Sequence, residues 1–240
     1  MAPREKRVEQ IVLIQSMFAA KNIRGQLDRL LEFQVQLRQQ TCPIEEVVSG
    51  LAEVRLEGLN ASSRYLTVCL KKATEKGARL APDPSFSDWN QLFGAVKATK
   101  RLPARPTTQT EAYAHIQAAL YAVKLLQEHL LPSCIDGLAT ATVQAAGSSS
   151  SSSIEEVCRL LGSACTVVVN RAINHIDLAV AAISRFVHPK EVASNSRFAE
   201  RYTDFGWDME ALKVSRFVRG LEEWGPFKAA IKKLSSTNGF

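Results

Sequence analysis

A chain of 240 residues with 46% hydrophobic and 22% charged side chains holds enough apolar material for one large core, which excludes wholesale disorder. The formal net charge of +6, with a pI near 9.1, falls short of the clustered basic face that a nucleic-acid binder presents, so no nucleic-acid partner is expected. It suits an acidic protein partner or a weak membrane contact equally well.

The apolar run Ile11 to Ile14 behind the basic N-terminus is too short for a signal sequence or a membrane span, so a soluble cytoplasmic protein without membrane contact is expected. From about Pro3 to Gln40, apolar residues recur at three- and four-residue steps, among them Val12, Phe18, Ile23, Leu27, Leu30 and Val35, which predicts one long helix. Its length leaves two alternatives, a projecting coiled coil that oligomerises or packing onto a bundle. Gly25 marks a candidate bend. Thr41-Cys42-Pro43 stops the helix, because proline disfavours helix in the residue before it.

A second helix starts at Pro43 or Ile44, with Glu45 and Glu46 in its first turn, and runs to a stop at Gly77. After a loop at Leu80 to Pro84, Ser85 or Ser87 caps a short helix holding Trp89, Leu92, Phe93 and Val96. A basic, proline-bearing loop follows from Lys97 to Pro106. Thr107 or Thr108 then caps a helix that Pro132 is expected to stop, and Thr108 with Glu111 has capping-box spacing. From Ile135 to Ala146 the residues are small and weakly patterned. The serine run, Ser148 to Ser153, reads as a flexible loop at 147–153.

A further helix is predicted over about 154–187, where the three-to-four spacing outweighs the β-branched triplet Val167-Val168-Val169. A short one is expected over about 194–202 and a last one over 209–234, interrupted at Gly225-Pro226. No strand-like alternation appears. The expectation is an all-α, antiparallel bundle of about six to seven helices: a long N-terminal helix over 1–42 and the bundle over 43–240.

Chemistry is scarce. Five cysteines (Cys42, Cys69, Cys134, Cys158 and Cys165) lack CxxC spacing and read as reduced, mostly buried thiols. The histidines, His115, His129, His175 and His188, stand alone in the sequence, with no metal-ligand spacing around them. Glu111 and His115, four apart, read as a surface helix contact. No phosphate loop, dinucleotide fingerprint or nucleophile elbow is present. The chain is therefore expected to be non-enzymatic, with no cofactor and no metal.

What remains is surface. Lys97, Lys100, Arg101 and Arg105 put four cations within nine residues, stiffened by Pro103 and Pro106. They fit an acidic patch; the plainer reading is a solvated inter-helix loop. The C-terminal third sets cations, Arg197 and Arg201 among them, beside Trp207, Phe217, Trp224 and Phe227. The steps from Phe217 to Leu221, Trp224 and Phe227 favour a core role for those aromatics and leave the cations outside.

Four stretches, in order, resemble the N-terminal helical domain of cyclase-associated protein, an actin-turnover factor. The first is Arg64-Tyr65-Leu66 through Cys69-Leu70-Lys71-Lys72-Ala73 to Pro84-Ser85-Phe86. The second is the basic loop 97–106 followed by Ala114-His115-Ile116-Gln117-Ala118-Ala119, although the asparagine that the family places before this histidine is replaced. The third runs from Ser196-Arg197-Phe198 to Tyr202-Thr203-Asp204, and the fourth from Trp224 through Ala230-Ile231-Lys232-Lys233-Leu234 to Phe240. Residues 130–190 have no counterpart in that family, and neither its proline-rich segment nor its actin-monomer-binding β domain is matched. The resemblance implies a six-helix antiparallel bundle that binds actin filaments, especially cofilin-decorated ones, and promotes their turnover. It also implies actin, cofilin and adenylyl cyclase as partners, and homo-oligomers formed through the N-terminal helix. On this resemblance Lys97, Lys100, Arg101 and Arg105 are the first candidate contact residues, then Arg197 and Arg201. Two other readings stay open: a structural subunit that docks its amphipathic helices into a larger assembly, and a helical lipid-binding domain.

Overall fold

The described residues are helical apart from short connections, the longest at 102–108. The computed structural model describes residues 3–75, 77, 89–145, 159 and 161–187. The chain divides into two units, Met1–Phe186 and Val187–Phe240, and all but one of the described residues belong to the first. The helices are α1 (Pro3–Gln39), α2 (Ile44–Glu53), α3 (Asn60–Glu75), α4 (Trp89–Ala98), α5 (Gln109–Leu125), α6 (Leu131–Ala145) and α7 (Thr166–Phe186). No strand occurs among the described residues.

Three wider π-helical turns lie between or before them: Val54–Leu59, Leu126–Leu130 and Leu161–Cys165. The first joins α2 to α3 and the second joins α5 to α6, both without a break. The described residues therefore make five continuous rods. The segments 194–202 and 209–234 and the serine run lie outside the described residues.

The second π turn explains why Pro132 does not end its helix. The Leu131 amide reaches back five residues to Leu126 O, so the turn is wider and the register shifts by one. A proline just beyond such a turn costs less than in a regular helix, where its ring meets the carbonyl of the previous turn. The weakly patterned stretch after it is helix too. There Ser133, Thr140 and Thr142 turn their hydroxyls onto the carbonyls of His129, Asp136 and Leu138, four residues back. The first two π turns also meet. Arg55 Nε donates to Gln127 O at 2.8 Å, and Gln127 Nε2 donates to Arg55 O at 3.3 Å. Each side chain thus covers a carbonyl in the other rod's irregular turn, where the regular ladder is broken.

Of the two alternatives for α1, the structure shows packing. Val12, Leu13, Met17, Ala20, Ile23, Leu27 and Leu30 are buried, chiefly against α3 and α7. The apolar face that a coiled coil would need is already covered. Glycine lets the α2–α3 rod approach α1 closely: a Cβ on Gly50 would collide with the Phe33 ring, and one on Gly58 with the Gln26 side chain. Gly25 is different. It lies exposed inside an uninterrupted helix, with nothing within 4 Å of where a Cβ would stand. α1 ends in a left-handed cap at Gln40, whose φ is 52°, and the Thr41 amide returns to Gln36 O at 3.1 Å.

α5 and α7 share the most extensive helix contact. The stretch Ser163–Phe186 is long and apolar enough to cross a membrane, with a mean hydropathy of 1.2. Its side chains are spent inside the bundle instead: Val169, Ala172, Ile173, Ile176, Val180 and Ile183 are buried. Among the described residues this is a core helix.

Candidate functional site

The basic loop becomes a tightly held turn between α4 and α5. α4 runs into a 3-10 turn, Thr99–Arg101, closed by the Leu102 amide on Thr99 O at 3.1 Å. Leu102 is extended, as a residue before proline prefers. Thr99 is buried, and its hydroxyl lies 2.7 Å from Val96 O, in position to donate to it. At the far end Pro106 is buried. The capping box read from Thr108 and Glu111 is present. The Glu111 amide donates to Thr108 Oγ1 at 3.1 Å, and the Glu111 carboxylate accepts from the Thr107 and Thr108 amides at 2.6 and 3.2 Å. Those two amides hold the Glu111 carboxyl below its ordinary range.

On this frame Lys97, Lys100, Arg101 and Arg105 are all exposed. Lys97 Nζ stands 4.6 Å from the centroid of the Phe93 ring, a cation–π contact that steadies it. Lys97, Lys100 and Arg101 lie at the carbonyl end of α4, which favours cations. None of the four forms an ion pair with a described acidic side chain, whereas Arg29 and Lys124 reach Glu53 and Glu128 at 3.4 and 3.8 Å. The structure thus brings four of the candidate residues into one turn. Arg197 and Arg201 lie outside the described residues.

Beneath the turn lies a feature that sequence reasoning missed. His115 of α5 and His175 of α7 are buried, 1% and 6% exposed, with their Nδ1 atoms 2.9 Å apart. His115 Nε2 is 2.9 Å from Pro103 O, and His175 Nε2 is 3.1 Å from Thr99 Oγ1. Arg171 Nη1 donates to Val96 O at 3.1 Å. Three side chains from α5 and α7 therefore grip the turn at Val96, Thr99 and Pro103. These two histidines do not stand alone, and His115 makes no surface contact with Glu111, whose carboxylate serves the cap instead. The signal available in the sequence was position: each histidine falls in an apolar stripe, His115 between Ala112 and Ala119, and His175 between Ala172 and Ala179. A polar group in such a stripe needs a partner from another element.

Burial lowers the pKa of both rings. His175 falls to about 4, because burial disfavours its charge and because His115 and Arg171 add repulsion. His115 is also lowered by burial, partly offset by the Pro103 carbonyl and the Glu111 charge. Both rings are closed off from outside substrates, so the pair is poised to hold the turn and not to act on a ligand.

Two other buried polar clusters are internal. Arg24 of α1, 2% exposed, pairs with Asp28 and stands 3.6 Å from Asp177 of α7. Cys134 of α6 and Cys165, at the end of the third π turn, bring their sulfurs within 3.8 Å of each other as free thiols. Cys69 is a buried thiol, and burial pushes it up to about 11. No cluster of three or more His, Cys, Asp or Glu side chains suited to a metal ion occurs among the described residues.

The site and fold define an all-helical domain that presents a braced cationic turn. No family model matches the chain, and neither a curated protein nor a solved structure is found that is similar to it.

Proposed function

We propose that this protein is a non-enzymatic interaction module that docks an acidic protein surface onto the turn formed by Lys97, Lys100, Arg101 and Arg105. One observation carries the reading: four exposed cations, none of them paired with a described acidic side chain, stand on a turn held at both ends and from below. A preorganised charged surface loses little entropy on binding, and complementary charge speeds encounter. Apolar docking has less support. Among the described residues, the large exposed apolar side chains, Val35, Leu56, Val143 and Val167, sit on four different elements.

The partner proposed first is the actin filament, bare or decorated with cofilin, with faster filament turnover as the outcome. That choice rests on the sequence resemblance to the helical domain of cyclase-associated protein, as do adenylyl cyclase as a further partner and a cytoskeletal association; the cytoplasmic location and the antiparallel bundle of six to seven helices rest on the sequence pattern. Co-sedimentation of the full chain with actin filaments, with and without cofilin, is the test. Binding at micromolar protein, weakened by added salt, is expected. Absence from both pellets removes the actin reading.

A further inference from the structure

The hydrogens of the histidine pair are set by its partners. Pro103 O can only accept, so His115 Nε2 carries a hydrogen. With both rings neutral, His115 Nδ1 is then a bare acceptor, and the hydrogen between the two Nδ1 atoms belongs to His175. His175 Nε2 is left bare and accepts from the Thr99 hydroxyl. That hydroxyl has one hydrogen, so it no longer donates to Val96 O, and Arg171 alone covers that carbonyl. Both ring nitrogens of each histidine, the Thr99 hydroxyl and the Val96 carbonyl are then all satisfied.

One added proton is also housed without movement of heavy atoms. His175 Nε2 then carries a hydrogen and donates to Thr99, whose hydroxyl turns back to Val96 O. The two Nδ1 atoms share the proton between them. A second added proton has no place: two N–H groups would face each other across 2.9 Å, each on a charged ring. The rings must then part, and the turn loses its anchors at Pro103 and Thr99.

The surrounding charges oppose protonation on balance. From α7, Arg171 faces the pair, while Asp177 is turned to Arg24 of α1. From α5, Glu111 favours charge on His115, but its carboxylate is committed to the Thr107 and Thr108 amides. The turn itself adds Lys97, Lys100, Arg101 and Arg105, all exposed. A depressed His175 keeps opening within the acidic range.

We propose that the His115–His175 pair is a proton-operated clamp on the cationic turn, closed with at most one added proton and opened when both rings are charged. Its consequence for partner binding rests on the docking reading above; the clamp itself does not. The sign is diagnostic. Acid adds positive charge under a cationic turn, which by simple attraction would tighten an acidic partner, whereas the clamp predicts a loosened turn.

The test uses nitrogen NMR of the histidine rings together with amide exchange in the full chain, from neutral to acidic pH. At neutral pH, His115 is expected as the Nε2–H form and His175 as the Nδ1–H form. Between about pH 7 and about pH 4 the Leu102 amide, corrected for intrinsic rate, is expected to lose at least about tenfold of its protection, while the Thr41 amide keeps its own. His175→Gln removes that loss, and Thr99→Val lowers Leu102 protection already at neutral pH. Two independent ring titrations near the ordinary value with Leu102 unchanged overturn the clamp. So does equal loss at Thr41, which is global unfolding, or a His175→Gln protein that responds like the parent. If the variants do not fold, the parent's ring forms and the Leu102–Thr41 difference still decide. None of these readouts needs a partner, so a clamp that works in a protein that binds no filament refutes the docking reading alone.

Discussion

α7 makes two buried polar contacts two residues apart, and they behave differently. Asp177 faces α1 and stands by Arg24, a group that stays charged across the range in which proteins fold. His175 faces α5 and meets His115, a group that gains or loses charge within that range. The first contact ties α1 to the core through a cation that keeps its charge across that range. The second holds the cationic turn only while at least one ring is uncharged. The same helix therefore carries a fixed tie on one side and a conditional one on the other, and the conditional one lies under the exposed cations.

The largest expected effect breaks the fixed tie. Arg24→Ala leaves Asp177 in a half-buried site without its cation, and should cost about 3 kcal/mol or more, read as a lower denaturant midpoint. If the variant is nearly as stable as the parent, the Arg24–Asp177 contact is no such tie.

The conditional tie is sharpened by pH. Both histidines have folded pKa values below the ordinary 6.5, so the folded state disfavours the proton. Their contribution is fully present above 6.5 and is lost as pH falls below it, toward about 4 for His175. Stability should fall by up to about 1.4 kcal/mol per pH unit for each proton taken up in that window. His175→Gln should flatten that dependence, and chemical denaturation at several pH values gives the slope. By contrast, Arg24→Ala should leave that histidine slope in place.

Smaller effects concern the edges of the two regions. Thr108→Ala removes one half of the capping box that fixes the far end of the turn, and should cost about 1 kcal/mol, measured by thermal melting. Gly25→Ala, in the exposed interior of α1, should stabilise the protein by about 0.5–1 kcal/mol, since its Cβ meets nothing. A loss instead would mean that α1 depends on flexibility at that point.

What the sequence made legible was local. The three-to-four spacing marked α1, the Thr41-Cys42-Pro43 stop preceded α2, and Thr108 with Glu111 marked the start of α5. Each of these depends on residues within a turn or two of each other. Pro132 misled because its tolerance depends on a π turn, which periodicity does not announce. The stretch after it was weakly patterned because its buried stripe is thin, Leu131, Cys134 and Leu138, among residues such as Ser133, Thr140 and Thr142 that bond to their own helix. The cations were visible as a cluster. Their footing was not, because His115 and His175 are 60 residues apart and meet only once α5 packs on α7.

The central claim is that Lys100, Arg101 and Arg105 act as surface and not as structure. The most direct measurement is filament co-sedimentation of the protein with all three changed to alanine, beside its melting curve. The account predicts affinity lower by about tenfold or more with stability nearly unchanged, since exposed substitutions usually stay within about 0.5 kcal/mol each. Unchanged binding, or no binding by the parent protein, would contradict it.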